Sequence, residues 1–245
     1  MTLVSINLNK VALLRNSREN DFPNVKYVAN LAIISGCKGI TIHPREDQRH
    51  ATRKDVSVIS SLPEVEKGKV SFNLEGDLRE DIFDMVETYN VHQFTIVPVE
   101  KCEKTTERGF KVGERESEIK SAITMLKDKK SVRISIFIEP DIDSVDYAYS
   151  LGCDAVEIHC KWYAQSFCTN RESEEVKRVC LASNRAKEKN LRVHLGHDLS
   201  LVNLSMIAKK VKPDEVSVGH AAIVESLYQG FPRVIKKYMT ISHSV

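Results

Sequence analysis

Little in this sequence points toward a membrane, a disulfide scaffold or a nucleic acid. No apolar run approaches the roughly 20 residues that a membrane-spanning helix needs. The opening MTLVSINLNKV has no basic stretch followed by a long apolar one, so a cytoplasmic protein is expected. Six cysteines, Cys37, Cys102, Cys153, Cys160, Cys168 and Cys180, are scattered without a CxxC pair. They read as reduced thiols, mostly small buried hydrophobes. Thirty-six Lys and Arg against 34 Asp and Glu leave a formal charge of +2, too balanced for a chain built to neutralise a phosphate backbone. Neither a nucleic-acid nor a membrane partner is expected. No low-complexity segment or linker divides the 245 residues, which suit a single α/β barrel, and one domain over 1–245 is the expectation.

Short β-rich runs are present, with helical stretches between them. They are Leu3 to Leu8, Gly39 to Ile42, Val70 to Leu74, Phe94 to Val97, Arg133 to Ile138, Ala155 to Ile158, Leu191 to Leu195 and Glu215 to Val218. Runs such as ITI, FTIV and ISIFI are nearly continuous in apolar residues, as in strands covered on both faces, although SINLN alternates. Between them, Asn24 to Ser35 and Ile142 to Leu151 carry helical periodicity and stop at Gly36 and Gly152. The longer stretch from Val97 to Arg133 reads as a loop followed by a charged helix, Glu114 to Lys130. Strand and helix alternating eight times imply parallel pairing with right-handed crossovers. No GxGxxG turn follows the first strand, so a closed (β/α)8 TIM barrel with additional helices is favoured over a doubly wound open sheet.

Unusual polar residues sit at or just past the C-terminal ends of these strands, which in such a barrel meet at one mouth. Asn7, Asn9 and Lys10 follow the first strand; His43, Arg45, Arg49 and His50 follow the second; Glu75 follows the third. Thr105 and Thr106 lie in the loop after the fourth, Glu157 and His159 on the sixth, His197 and Asp198 after the seventh, and Gly219 and His220 after the eighth. Taken alone, HPREDQRH reads as a solvated charged loop, whereas Glu75, a carboxylate directly after an apolar strand, reads either as an ion-pair member or as a site residue. His194 and His197 resemble a metal pair only until strand geometry is applied, because a spacing of three sends the rings to opposite faces. No metal is expected. Gly219-His220 before Ala221 and Ala222 looks like a turn opening a helix, whose free N–H groups attract phosphate.

Six segments, NLNKVALLRNSR, GITIHPREDQRH, FNLEG, VEIHCKWYA, HLGHDLSLVNL and VSVGHAAI, resemble the pyridoxine 5'-phosphate synthase family in order and spacing over essentially the whole chain. The resemblance implies a barrel with an added N-terminal element, assembly into a homo-octamer, and chemistry without metal or organic cofactor. The implied reaction condenses 3-amino-2-oxopropyl phosphate with 1-deoxy-D-xylulose 5-phosphate to give pyridoxine 5'-phosphate, phosphate and water. By the same resemblance His43 and Glu75 are proton acceptors, His197 a proton donor and Glu157 a carboxylate that stabilises the transition state. Asn7, Arg18, Gly219 and His220 match positions holding the aminoketone phosphate, and Arg45, His50 and Thr105 positions holding the deoxyxylulose phosphate. Imine formation, enolisation, dehydration and ring closure move protons at different atoms of one intermediate, so several acid-base groups suit the task.

Asn9-Lys10 stands where many members have Asp-His, and Asp198 where many have glycine. VPVEKCE departs from a VPEKRQE-like loop, and Cys160-Lys161 from the usual Thr-Gly. These changes look like a variant subgroup, with positions 9, 10 and 198 counted among the substrate contacts; Asp198 would repel a phosphate unless paired with a cation such as Lys10. Two other readings remain. Another phosphosugar barrel, a lyase or isomerase, would share the phosphate site, and a Schiff-base aldolase would need Lys10 or Lys161. A catalytically silent barrel that binds a phosphorylated metabolite is the other.

Overall fold

All eight strand-like runs form strands, and the strands close on themselves. The computed structural model describes residues 2–18, 20–99 and 106–244. In chain order the elements are β1 (Leu3–Asn7), α1 (Asn9–Asn16), α2 (Val25–Ile34), β2 (Gly39–Ile42), α3 (Arg53–Ser60), α4 (Pro63–Glu66), β3 (Ser71–Gly76), α5 (Glu80–Thr88), β4 (Gln93–Ile96) and α6 (Glu116–Lys129). They continue with β5 (Arg133–Ile138), α7 (Ile142–Ser150), β6 (Ala155–His159), α8 (Lys161–Ser166), α9 (Glu172–Glu188), β7 (Arg192–Gly196), α10 (Leu204–Val211), β8 (Glu215–Val218), α11 (His220–Gln229) and α12 (Phe231–His243). Each strand pairs in parallel with its sequence neighbours, and β8 returns to β1 through Leu3–Glu215 and Ser5–Ser217. The fold is a TIM barrel. Of its extra helices, the one nearest the N-terminus is α1, inserted between β1 and α2. Among the described residues no helix is long and apolar enough to cross a membrane.

Alternation along the strands separates two environments. Val4, Ile6, Ile40, Ile42, Phe72, Leu74, Phe94, Ile96, Ile134 and Ile136 are fully buried and join a core with Ala29, Val56, Ile59, Ile82 and Leu126 of the helices. The intervening residues are polar and equally buried: Ser5, Thr41, Asn73, Gln93, Thr95, Ser135, His194 and Glu215. Several of these bond to one another between neighbouring strands, Ser5 Oγ to Thr41 Oγ1 at 2.7 Å and Thr95 Oγ1 donating to Asn73 Oδ1 at 2.9 Å. The main hydrophobic core is therefore a ring between sheet and helices, around a polar axis.

Helix ends follow their local chemistry. Asn24 accepts from the Tyr27 N–H and starts α2, and Asp141 does the same for α7 through Ser144. Thr52 and Asp55 form a reciprocal capping box at α3. Three strands run further than their apolar stretches suggest, so that Glu75 lies within β3, His159 within β6 and Gly196 within β7.

Candidate active site

The chain enters α1 directly after β1, and three asparagine contacts tie this corner to its neighbours. Asn7 Oδ1 accepts from the Asn9 N–H at 3.0 Å, Asn9 Oδ1 accepts from the His43 N–H at 2.7 Å, and Asn7 Nδ2 lies 3.3 Å from both oxygens of Glu75. His43 Nδ1 stands 4.0 Å from Glu75 Oε2, too far for a hydrogen bond. The loop from β2 to α3 is closed by a Pro44–Ala51 bridge and by Asn16 Nδ2, which donates to the carbonyls of Gln48 and His50. Arg15, buried beneath it, makes a two-pronged pair with Asp55. The loop carrying Arg45 and His50 is thereby held from below.

Asn7, Asn9, His43, Arg45, His50 and Glu75 line one cleft at the C-terminal mouth of the barrel, together with Lys10, Thr106, Glu157, His197, Asp198, Leu199, Ser217, Gly219, His220 and Ala221. His43 Nε2 and His50 Nδ1 are buried there without a hydrogen-bond partner among the described residues. Such atoms are ready to meet a ligand.

Burial and neighbouring charge set the protonation of the cleft. Burial pushes Glu75 up to about 7, against hydrogen bonds from Asn7 and Asn9. Burial raises Glu157 well above the carboxylate range, and the negative charges of Glu75 and Glu215 push it further. Near neutral pH Glu75 can therefore accept or return a proton, while Glu157 keeps its own. His43 is driven well below the ordinary imidazole range by burial and then by Arg45, His50, Arg79 and Arg49. Burial, with Lys10, Arg49 and Arg45, takes His50 down to about 4. Lys10 is lowered by burial and by Arg49 and Arg45, with Asp198 acting the other way. Positive charge from Lys10, Arg45 and Arg49 thus gathers along one wall, a setting that favours an anion.

Glu157 is shaped by a contact on the next strand. A Cβ on Gly196 would lie 2.0 Å from Glu157 Oε1, so this glycine gives the carboxyl its place. The next two residues, His197 and Asp198, have φ of 67° and 56°. Strand alternation stops there, and His197 turns to the mouth, where its ring packs 4.6 Å from that of Phe137. His194 stays on the axis, 3.4 Å from Gln93 Nε2. Among the described residues no group of three or more His, Cys, Asp or Glu could hold a metal. Gly219 is the N-cap residue of α11, and Gly219, His220 and Ala221 open to the cleft.

Of the residues singled out from the sequence, His43, Glu75, Glu157, His197, Asn7, Asn9, Lys10, Arg45, His50, Asp198, Gly219 and His220 converge here. Arg18 does not: it is exposed beyond the end of α1. Eight residues from Lys10, it is about 12 Å further along the helix direction at 1.5 Å per residue. Thr105 lies outside the described residues, whereas Thr106 is buried in the lining. Leu199, Ser217 and Ala221 were not legible as cleft residues, lacking any unusual chemistry. Glu139, just after β5, also follows an apolar strand, the same kind of position that distinguishes Glu75.

The chain resembles known proteins over nearly its whole length. Residues 4–244 match the model of a family described as pyridoxal phosphate biosynthesis protein PdxJ. A pyridoxine 5'-phosphate synthase of Bacteroides thetaiotaomicron is 38% identical over 239 residues, 97% of this chain and 98% of its own. One of Leptospira biflexa is 32% identical over 256 residues, covering 98% and 97%. Among solved structures, phosphoribosyl anthranilate isomerase of Thermotoga maritima superposes with a TM-score of 0.61 at 12% identity over the full length of both chains, a likeness of fold alone. Matched from its first strand to its last helix, the chain belongs to the PdxJ family of pyridoxal phosphate biosynthesis proteins.

Proposed function

We infer that the chain is a pyridoxine 5'-phosphate synthase, condensing 3-amino-2-oxopropyl phosphate with 1-deoxy-D-xylulose 5-phosphate and releasing phosphate and water. The observation that carries this reading is the convergence of two carboxyl groups and two imidazoles on one cationic cleft. Glu75, with a pKa of about 7, is suited to take a carbon-bound proton and return it elsewhere. His43, neutral and with Nε2 unpartnered among the described residues, is a second acceptor. Glu157, kept protonated by burial, can donate a hydrogen bond to an oxygen on which charge develops. His197, lowered to about 3 by burial and then by His159 and Lys161, must regain a proton to act as donor.

Arg45, His50, Asn9 and Lys10 form the wall for the deoxyxylulose phosphate, with Thr105 from the following loop. Asn7, Gly219 and His220 serve the aminoketone phosphate at the start of α11, where backbone N–H groups and the helix dipole favour an anion. Arg18, assigned to the same phosphate by resemblance, reaches it only if Arg18→Ala raises that substrate's KM. The whole chain, 1–245, acts as one domain in the cytoplasm, without metal or organic cofactor. It assembles as a homo-octamer, for which exposed Leu13, Leu14, Tyr27, Leu227 and Tyr228 on the adjoining helices α1, α2 and α11 offer an apolar surface. The test of the reaction is to mix purified protein with both substrates and no added cofactor, following pyridoxine 5'-phosphate by absorbance and mass. Binding of both substrates without product would instead favour a silent phosphometabolite-binding barrel.

A further inference from the structure

Two groups beside His197, one buried and one half-buried, have no part in the reaction described above. His159, the last residue of β6, is fully buried, and its Nδ1 lies 3.2 Å from Glu139 Oε1. Its ring meets that of His197 edge-on, with centroids 5.0 Å apart and an interplanar angle of 84°. Phe137 touches both rings, at 4.9 Å and 4.6 Å. An ionised carboxylate only accepts hydrogen bonds, so the Glu139 contact places the His159 proton on Nδ1 and leaves Nε2 as a bare acceptor. That Nε2 is buried and has no partner among the described residues.

Glu139 is itself held in place. Its Oε1 also accepts from the Gly109 N–H at 2.8 Å, and the Phe110 N–H donates to the Phe137 carbonyl at 3.0 Å, so the segment entering α6 lies along the end of β5. The approach is close enough that a Cβ on Gly109 would come within 2.4 Å of the Glu139 nitrogen. Burial opposes ionisation of Glu139, but the hydrogen bonds from His159 and Gly109 outweigh it and leave its pKa below the ordinary carboxylate range. The charged and titratable groups acting on His197 come from four elements. Lys161 on α8 and Lys10 on α1 disfavour its protonated form, as does His159 on β6 whenever it carries a second proton; Glu139, after β5, favours it.

We propose that Glu139 and His159 are positioning residues for His197: Glu139 holds His159 as the Nδ1–H tautomer, His159 and Phe137 orient the His197 ring, and the Glu139 charge supports the protonated donor. The proposal rests on the reading of His197 as the proton donor of the condensation. Glu139→Gln keeps an oxygen for both hydrogen bonds and removes only the charge. Its kcat should fall by roughly 10-fold to 100-fold, with KM for both substrates within about threefold of wild type. Because Glu139 favours protonated His197, the limb of the kcat profile that reports His197 should move to lower pH by about 0.5 to 1 unit. His159→Gln should also lower kcat, and the double variant should lose little more than the worse single one.

An unmoved limb, or a kcat loss matched by lost thermal stability, would overturn the proposal in favour of a purely structural pair. Ring nitrogen-15 shifts of His159 in the free protein provide a readout that needs no turnover. The Nδ1–H tautomer is expected, and an Nε2–H tautomer would refute the dyad. If wild-type protein makes no pyridoxine 5'-phosphate, the functional reading fails, while the tautomer still decides whether Glu139 sets His159.

Discussion

Gly196→Ala adds one methyl group at the contact that seats Glu157. The new Cβ would lie 2.0 Å from Oε1 and 2.8 Å from Cδ, where ordinary contact begins near 3.4 Å. The carboxyl must therefore retreat by about 1.4 Å, and as the end of a jointed side chain it can do so at modest cost, toward the lower end of the ~1–3 kcal/mol of overpacking. For a chain of this size ~1 kcal/mol corresponds to a Tm loss of about 2–4 °C. Function should suffer far more, since displacement of a catalytic group by about 1 Å can cost on the order of 100-fold. The assay is kcat under substrate saturation beside calorimetric Tm on the same preparation. Glu157→Asp, one methylene shorter, should relieve the clash, so the double variant should lose less than the product of the two single losses. A Gly196→Ala enzyme within threefold of wild-type kcat, or strictly multiplicative losses, would refute the claim that this glycine positions Glu157.

Glu75→Gln should reduce kcat by about 100-fold to 10,000-fold while substrate binding survives. It also carries a pH signature: folded Glu75 ionises near 7 against an ordinary 4.5, so between those values the native chain holds a proton that the unfolded chain has lost, and this residue's contribution to stability falls as pH rises. Glutamine removes that dependence, so the variant's Tm relative to wild type should climb from about pH 5 to about pH 8, and a flat difference in differential scanning fluorimetry would contradict the raised pKa. Inorganic phosphate should raise Tm with concentration, by the equivalent of about 2.7 kcal/mol at 100 times its Kd, and Arg45→Ala should weaken the effect. Equal protection of both proteins would remove Arg45 from the phosphate wall. Asp198→Gly removes a negative charge from the cleft and a side chain from a left-handed backbone position; KM for the deoxyxylulose phosphate should fall several-fold, and an unchanged or higher KM would show that Asp198 supports binding.

The barrel and most of its mouth were readable because strand ends carry two kinds of information at once. Apolar runs mark the strands, and polar residues breaking those runs mark the rim, as Glu75, Glu157 and His197 do. Hidden from such reading was the polar axis, since Ser5, Thr41 and Asn73 alternate with apolar neighbours and look like solvent-facing positions. Alternation specifies two faces but not which of them meets water. Arg18 illustrates a different limit: sequence proximity to Asn7 and Lys10 does not carry a side chain to the cleft when a helix of two turns intervenes. Glu139 and Gly196 act through contacts with distant segments, and nothing local to either marks the partner.

The separation of the apolar ring from the polar axis affects how this protein can change over time. The outward strand residues and the helices that cover them bury the greater part of the apolar surface, so the free energy of folding resides mainly outside the sheet. Groups on the axis, among them Thr41, Asn73, Ser135 and His194, contribute a network of modest bonds that can be rewired one position at a time. Ser135 Oγ and His194 Nε2 already lack partners among the described residues, which marks places where the network tolerates loose ends. A lineage could thus alter the chemistry along the axis while the outer ring kept the molecule folded, and exploration of new reactions would be least constrained where the barrel is most enclosed.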